Sequence, residues 1–287
     1  MSATDSLARE LIEAYANRQI LPSPLSARDP VFDLSSAYAV EAELVRIRRL
    51  AGRATVGRKV GYANKAVWRA LKLETLVWAH MYDDTVRFAA GNTASLDIGR
   101  MYSPKIEPEI VFKLGSGMRD PGSGIRDPGS GMRDPGCGDA GVALGAVEWI
   151  ALGFEIIDCP FADWKFQPSD FVAAYGLHAA LIVGEPLPVE AAQIPALIDQ
   201  LAQFKVRLLK NGEAVAEGSG KNSLRSPALC LGELRAAISR QMPEEPLAPG
   251  ELISSGTLTE SQPVAAGESW TAIVDGIALP QLTLSIQ

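Results

Sequence analysis

The chain of 287 residues has only two histidines and three cysteines, and it has no long apolar run. The cysteines, Cys137, Cys159 and Cys230, are odd in number and widely spaced, with no C-x-x-C pair. This pattern predicts neither a disulfide framework nor a zinc site. Nowhere do about 18 apolar residues follow one another, the length that a membrane-spanning helix needs. These absences predict a protein of the reducing cytoplasm, without a membrane partner.

Positive charge is also scarce, with 27 lysines and arginines against 34 acidic residues and a formal net charge of −7. Non-specific nucleic-acid binding needs a basic face that displaces counterions, so a nucleic-acid partner is not expected. The first segment, "MSATDSLARELIEAYANRQI", lacks the basic start and apolar core of a secretion signal. It predicts an amphipathic helix capped by Asp5 or Ser6.

The periodicity of the apolar residues changes along the chain. Residues 1–85 are mostly helical in pattern, as in "DLSSAYAVEAELVRIRRLAG" with a cap at Asp33, and they include a strand over 55–63. Residues 86–287 are rich in strands, among them a hairpin turning at Asn211 and Gly212. Helices are predicted at "AVEWIALGFEII" and "SPALCLGELRAAISRQ". The pattern predicts an α+β fold, with a helical N-terminal region (1–85) and a β-rich catalytic domain (86–287).

One segment, residues 115–139, contains three copies of a G-S-G-[M/I]-R-D-P unit. Its glycine, proline, serine and aspartate content cannot pack a core, and its seven-residue period lacks the apolar positions of a coiled coil. The segment is expected to be an expanded surface loop. A repeat expansion without function is one interpretation, and a lid over a site next to it is another.

Two glutamates lie one residue apart in the apolar run "PKIEPEIVF". In a strand, Glu107 and Glu109 project from the same face, and burying two like charges so close requires a proton or a cation. Farther along, "GFEIIDCPFADWKF" embeds Glu155 and Asp158 among apolar residues. Glu107, Glu109 and Glu155 together suit Mg²⁺ or Mn²⁺. Spacing alone leaves open a solvated strand face.

A basic residue, Lys59, occurs in the strand pattern "VGRKVGYA". Gly57 and Gly61 share its face of the strand, where glycines let a ligand approach the backbone closely. Lys59 is therefore a candidate for proton transfer. The alternative is a surface lysine on an edge strand.

A group of small and hydroxyl residues, Ser254 to Thr257, ends the strand pattern in "LISSGTLTESQPVAAGE". Backbone N–H groups and hydroxyls at a strand end can bind a carboxylate. Gly256 and Thr257 are the candidates for substrate binding. An ordinary polar turn is the alternative.

Taken in order, the motifs resemble the hydratase/decarboxylase branch of the fumarylacetoacetate hydrolase superfamily; they are "AYAVEAEL", "GRKVGYANKAVWRALKL", "IEPEIVFKL", "FEIIDCPFADW" and "GTLTESQPVAAGE". The resemblance implies helices followed by a mixed β-roll and a divalent metal held by Glu107, Glu109 and Glu155. It also implies catalytic and substrate-binding roles for Lys59, Gly256 and Thr257.

Two stretches depart from the pattern of that branch. Where it usually has an acid after the second helix, this chain reads "LVWAHMYDD", with Val77 in the acid's place. A usual polar stretch is replaced by "AAYGLHAA". Both histidines, His80 and His178, lie in these stretches and are predicted to be catalytic and close to the metal pocket. Each alone is more often structural.

The function implied is a metal-dependent lyase that adds water to a 2-oxo or 2-hydroxy-dienoic acid in the catabolism of aromatic compounds. The same residues also suit decarboxylation of a 2-oxo diacid or hydrolysis of an acylpyruvate C–C bond. A non-catalytic partner subunit is the alternative from another class. The expected partners are a small 2-oxo acid and further copies of the chain, with a related pathway enzyme as another possible associate.

Overall fold

A computed structural model describes residues 2–118 and 137–287. Most of the predicted repeat loop, residues 119–136, lies outside the described residues. The helices are α1 (Ala3–Asn17), α2 (Leu25–Arg28), α3 (Leu34–Leu50), α4 (Lys65–Leu71), α5 (Cys137–Leu144), α6 (Pro168–Ala173), α7 (Ile194–Gln203) and α8 (Pro227–Gln241). Short 3₁₀ turns cover Ala162–Trp164, Tyr175–Leu177, Ala191–Gln193 and Gly220–Asn222.

The strands form two mixed sheets. They are β1 (Thr55–Gly61), β2 (Val77–Tyr82), β3 (Val86–Phe88), β4 (Thr93–Leu96), β5 (Lys105–Leu114), β6 (Val147–Ile157), β7 (His178–Val183), β8 (Leu187–Pro188), β9 (Lys205–Lys210), β10 (Glu213–Ser219), β11 (Leu252–Ser254), β12 (Gln262–Pro263), β13 (Ser269–Asp275) and β14 (Leu282–Ile286). A nine-stranded sheet runs β2-β1-β11-β5-β6-β7-β3, with β12 paired to β5 and β8 to β6. A five-stranded sheet runs β10-β9-β13-β14-β4.

Local sequence signals set several element ends. The hairpin of β9 and β10 turns at Asn211 and Gly212, both with positive φ, as predicted. Asp33 caps α3 by accepting from the Ser36 N–H at 2.9 Å, also as predicted. The cap predicted for α1 was wrong, because Ser2 accepts the Asp5 N–H and the helix begins before Asp5.

The segment "AVEWIALGFEII" was predicted to be a helix, and that prediction was wrong. It forms β6, which lies between β5 and β7 and is buried along almost its whole length. A strand that is buried on both faces reads as a continuous apolar run, so its period of two is not visible in the sequence. The misread segment is one of the two strands that carry the candidate site.

The α+β class is confirmed, with helices α1 to α3 preceding the sheets. Strands β1 and β2 precede residue 85 but belong to the same sheet as β5 and β6. The division at residue 85 into two domains stays a prediction. Across the described ranges, no helix combines the length and the apolar character that crossing a membrane requires.

Gly57 marks a close approach between two backbones. It pairs with Leu252 of β11, and a Cβ at Gly57 would lie 1.9 Å from the Leu252 carbonyl oxygen. The pairing of β1 with its other neighbour, β2, changes register at the same place, between residues 55 and 57. Only glycine therefore lets β1 and β11 pair here.

Gly57→Ala is expected to lower the free energy of unfolding by about 3 kcal/mol or more, because the clash involves backbone that cannot rotate away. Urea unfolding at equilibrium measures this change. Gly141→Ala in α5 is the control, since its Cβ would contact only Ile198 at 3.7 Å; it should leave stability unchanged or raise it by up to about 1 kcal/mol. Equal stability of the two variants would contradict the expectation.

Candidate metal centre

Three carboxylates meet on one face of the nine-stranded sheet. Glu107 on β5 lies directly opposite Glu155 on β6, and Glu109 follows two residues later on β5. One carboxylate oxygen from each lies within 4.8 Å of the others. Glu109 and Glu155 are completely buried, and Glu107 is half-buried. The solvated-face interpretation of the E-x-E pair is therefore wrong for these residues.

Glu109 is held by the end of β11. Its Oε2 accepts from Ser254 Oγ at 2.5 Å and from the Gly256 N–H at 2.8 Å. Its Oε1 is buried and has no hydrogen-bond partner among the described residues. Burial, with the negative charges of Glu155 and Glu107, raises the pKa of Glu109 well above its usual range. Oε1 is thus a buried acceptor to which no described residue donates.

Glu155 is held from two sides. Its Oε1 lies 2.8 Å from His178 Nδ1, and its Oε2 lies 3.1 Å from Lys59 Nζ. Burial alone raises its pKa, but Lys59 and His178 outweigh burial and hold the pKa below its ordinary value. Glu155 is therefore a carboxylate kept ionised in the core of the sheet.

Glu107 lines the cavity. Of the three glutamates it has the fewest hydrogen bonds and ion pairs with described residues. Its desolvation and the charge of Glu155 raise the pKa to about 7, although Lys59 opposes the shift. Opposite oxygens around one Mg²⁺ ion lie about 4.2 Å apart, twice its bond length of about 2.1 Å. The three carboxylates consequently need only small side-chain movements to bind one cation, and the buried Oε1 of Glu109 fits such a ligand.

Lys59 is completely buried, because β1 lies between β2 and β11. The alternative of a surface lysine on an edge strand is therefore wrong. Its Nζ donates to the Gly176 carbonyl at 2.8 Å and lies 4.7 Å from the centre of the Phe171 ring. A Cβ at Gly61 would lie 2.4 Å from that ring. Gly57 and Gly61 thus admit protein atoms, while Gly61 also lines the cavity over Lys59, so the close approach of a ligand to this backbone stays a prediction.

The altered stretch "AAYGLHAA" supplies two contacts of the cluster. Gly176 has φ +60°, and a Cβ there would lie 2.7 Å from Lys59 Cδ. His178 contacts Glu155 through Nδ1 and lies 2.9 Å from Thr85 Oγ1 through Nε2. The structure therefore places His178 beside the carboxylates. On β2 the residue across from Lys59 is Ala79, so this strand offers the lysine no acid.

His80 lies elsewhere, and its predicted place beside the metal pocket was wrong. It pairs across the strands with Arg58, whose side chain leaves β1 on the face opposite to Lys59. There His80 Nδ1 lies 2.5 Å from Glu41 Oε1, and His80 Nε2 lies 3.3 Å from Glu245 Oε2. This second buried cluster connects α3, β1 and β2 and does not touch the carboxylate site.

A cavity of about 480 Å³ opens over Glu107 and Lys59. Its wall is aromatic, with Tyr62, Trp164 and Phe166 among the lining residues. Thr257 also lines it, and the Thr257 N–H has no acceptor among the described residues. The N–H of Gly256, in contrast, is used by Glu109. Of the two predicted substrate-binding residues, Thr257 alone has a free backbone donor at the cavity.

Sequence reasoning missed Gly176, the aromatic wall and Lys105. Lys105 lines the same cavity and precedes Glu107 by two residues. The alternation that paired Glu107 with Glu109 also places Lys105 on their face of β5. The alternation in "PKIEPEIVF" is thus the sequence signal for Lys105.

The site therefore defines a class, a protein with an acidic metal-type centre and a buried lysine under an aromatic pocket. No protein-family model matches the sequence. A 2-hydroxyhexa-2,4-dienoate hydratase of Comamonas testosteroni is 27% identical over 283 residues, covering 99% of this chain and 96% of that protein. A 2-keto-4-pentenoate hydratase of Paraburkholderia xenovorans is 26% identical over 273 residues, covering 95% and 91%.

Among solved structures, a 4-oxalocrotonate decarboxylase from Pseudomonas putida G7, complexed with magnesium and adipate, matches with a TM-score of 0.83. It is 23% identical and the match covers 99% of this chain and 97% of that one. At this identity the likeness establishes the fold. The chain has the fold of the fumarylacetoacetate hydrolase superfamily and resembles its hydratase/decarboxylase branch, as its motifs predicted.

Replacing Glu107 and Glu109 together by glutamine is expected to abolish metal binding, because two of the three charged ligands are lost. Titration calorimetry with Mg²⁺ and Mn²⁺ measures the loss directly. At 100 times its dissociation constant, a cation stabilises the wild-type protein by about 2.7 kcal/mol, and the double variant should show no such gain. Glu148→Gln on β6 is the control, since Glu148 is exposed and pairs with Lys113. Wild-type affinity in the double variant would contradict the assignment.

His80 predicts a pH-dependent contribution to stability. Burial lowers its pKa, but Glu41 and Glu245 outweigh burial and the charge of Arg58, so the net pKa is raised above 6.5. A raised pKa in the folded protein means that this stability is fully present below about pH 6.5 and is lost as the pH rises through the folded pKa. His80→Gln should therefore cost about 3 kcal/mol at pH 6, by leaving buried Glu41 with the backbone N–H of residue 80 but without a charged partner, and less at pH 9.

Urea unfolding of the wild type and the variant at pH 6 and pH 9 gives the two differences. Glu43→Gln on α3 is the control, because its ion-pair partner Arg46 is about half exposed to solvent. The control should change stability by less than about 0.5 kcal/mol at both values. A His80→Gln cost that is equal at pH 6 and pH 9 would contradict the role given to His80 ionisation.

Proposed function

We propose that the protein is a metal-dependent lyase that adds water to a 2-hydroxy-dienoic acid, with Mg²⁺ or Mn²⁺ held by Glu107, Glu109 and Glu155. The observation that carries the proposal is the meeting of these carboxylates with buried Lys59 under one cavity. The relatives named as hydratases of 2-hydroxy-dienoates and of 2-keto-4-pentenoate support the choice of substrate class. The activity belongs to the catabolism of aromatic compounds.

The substrate binds with its carboxylate at the strand end of β11. The free N–H of Thr257 donates to that carboxylate, while Gly256 keeps Glu109 in place. The aromatic side chains of Tyr62, Trp164 and Phe166 pack against the diene and exclude water from most of its surface. A divalent cation, when bound by the three carboxylates, supplies Lewis-acid polarisation of the oxygen on C2.

Lys59 moves the protons. Ketonisation takes the proton from the 2-hydroxyl and adds one at the far end of the diene, and water then adds across the remaining double bond, with its hydroxyl on C4 and its hydrogen on C3. The Lys59 ammonium lies between Glu155 and the Gly176 carbonyl, facing the cavity. These two fixed acceptors keep Nζ in one position, which general acid–base catalysis requires.

His178 is a positioning residue in this proposal. Its ring joins Glu155 to Thr85, with contacts of 2.8 and 2.9 Å, and so sets the orientation of the carboxylate that also contacts Lys59. His80 has no part in the reaction. Assembly into homo-oligomers, association with a related pathway enzyme and a cytoplasmic location stay predictions from the sequence.

Lys59→Met is expected to lower kcat by about 10²- to 10⁴-fold and to change KM much less, because a positioned acid or base contributes an effect of this size. The assay follows the loss of ultraviolet absorbance of 2-hydroxypenta-2,4-dienoate with Mg²⁺ or Mn²⁺, and with a chelator as the negative control. Lys113→Met is the matched variant, since Lys113 pairs with Glu148 away from the cavity.

Near-normal kcat in Lys59→Met would remove Lys59 from the proton transfers. Calorimetric Mg²⁺ binding of the same variant separates a lost proton carrier from a lost metal site, because Lys59 also contacts Glu155. If the wild type leaves dienoates unchanged but releases CO₂ from a 2-oxo diacid, the reaction is decarboxylation, and hydration is the wrong assignment.

A further inference from the structure

A short turn beside Lys59 has a strained backbone. Tyr175, Gly176 and Leu177 follow one another with φ of +57°, +60° and +58°, all in the left-handed region. A residue with a Cβ is disfavoured there, so Tyr175 and Leu177 both raise the free energy of the folded protein. Strain of this kind persists only where surrounding contacts fix it, and it is found most often at functional sites. The turn is therefore a feature for which a function should be sought.

The turn delivers two contacts to the carboxylate site. The Gly176 carbonyl accepts from Lys59 Nζ at 2.8 Å. His178, the residue after the turn, lies 2.8 Å from Glu155 through Nδ1. Because φ and ψ are the only soft dihedrals of the backbone, they decide where a carbonyl points. The left-handed turn thus sets the position of the backbone acceptor of Lys59.

Tyr15 of α1 holds this turn from the N-terminal helices. Its hydroxyl lies 3.2 Å from the carbonyl oxygen of Ala174, the residue before the turn, and 3.3 Å from that of Asp158. Its ring meets the Tyr175 ring edge to face, with the ring centres 5.4 Å apart. Burial raises the pKa of Tyr15 well above its usual range, so the hydroxyl keeps the proton that it donates.

The same two residues, Ala174 and Asp158, also close the turn through their backbones. The Leu177 N–H donates to the Ala174 carbonyl at 2.8 Å, and the Leu177 carbonyl accepts the Asp158 N–H at 2.8 Å. Asp158 directly follows β6, the strand that carries Glu155. The Tyr15 hydroxyl therefore completes a ring of hydrogen bonds that fastens the strained turn to the end of β6.

We propose that Tyr15 is a positioning residue, which fixes the Gly176 carbonyl and through it the Lys59 ammonium for proton transfer. This inference rests on the proposed function, since it is there that Lys59 moves the protons. Proton transfer requires its acid or base at a fixed distance and angle, and a loosened acceptor would let Nζ leave that position. Tyr15 itself does not line the cavity. A residue of the first helix would thus act on the chemistry of the sheet without contacting the substrate.

Tyr15→Phe removes the hydroxyl and keeps the ring. With 2-hydroxypenta-2,4-dienoate, kcat should fall about 3- to 10-fold, the worth of one neutral hydrogen bond, while KM and calorimetric Mg²⁺ affinity stay unchanged. In a Lys59→Met background the same substitution should have no further effect on kcat, because Tyr15 acts through Lys59. Exchange of the Leu177 N–H with D₂O, followed by NMR, should quicken by a similar factor.

Tyr102→Phe is the matched control. The Tyr102 hydroxyl donates to the Ala14 carbonyl at 2.5 Å, and its ring lies edge to face with Tyr15 at 5.8 Å. The control thus loses a hydroxyl-to-carbonyl bond in the same aromatic group without a printed contact to the turn. It should leave kcat and the exchange of the Leu177 N–H as they are in the wild type.

Unchanged kcat in Tyr15→Phe would overturn the inference. So would an equal fall in kcat in the wild-type and Lys59→Met backgrounds, which would make the effect of Tyr15 independent of Lys59. The proposed function fails differently, by a wild type that leaves dienoates unchanged or a Lys59→Met variant with normal kcat. In either case the exchange of the Leu177 N–H still decides whether Tyr15 anchors the turn, and unchanged exchange in Tyr15→Phe would show that it does not.

Discussion

The site depends on one costly arrangement, the burial of three carboxylates against each other on the shared face of β5 and β6. Such a cluster is unstable without positive charge or donors, since each carboxylate loses hydration and repels the others. Lys59 and His178 stabilise Glu155, and Ser254 and Gly256 stabilise one oxygen of Glu109. What they leave uncompensated, above all the buried second oxygen of Glu109, is what a cation would complete.

Strand β1 separates two buried charge clusters, because its consecutive residues Arg58 and Lys59 project from opposite faces. Lys59 joins the metal-type centre, while Arg58 leaves the opposite face and joins Glu41, His80, Glu245 and Glu251. The first cluster is open to a cavity, and the second contains Glu41 of α3. The two therefore serve different ends, with chemistry on one face of the strand and attachment of the N-terminal helices on the other.

Much of the site could be predicted from local alternation and from the family motifs. Period two placed Glu107 and Glu109 together, and its apolar surroundings singled out Glu155, which the structure sets directly across the strand pair. The same alternation failed for β6, because both faces of that strand are apolar. It could not place His80 either, since alternation does not say which face of β2 is turned toward the carboxylates. His80 pairs with Arg58 of β1, whose side chain lies on the face opposite to Lys59. Contacts such as Gly176 with Lys59 come from a distant turn and carry no local signal.

The direct pairing of β5 with β6 also bears on how the gene can change. The ten-residue ladder between the two strands fixes Glu107 opposite Glu155 whatever the length of the chain that joins them. Closing a longer connection costs little, about 0.6 kcal/mol for each doubling of its length. The G-S-G-[M/I]-R-D-P units belong to that connection. Adding or removing a unit would therefore leave the ladder, and with it the facing positions of Glu107 and Glu155, unchanged.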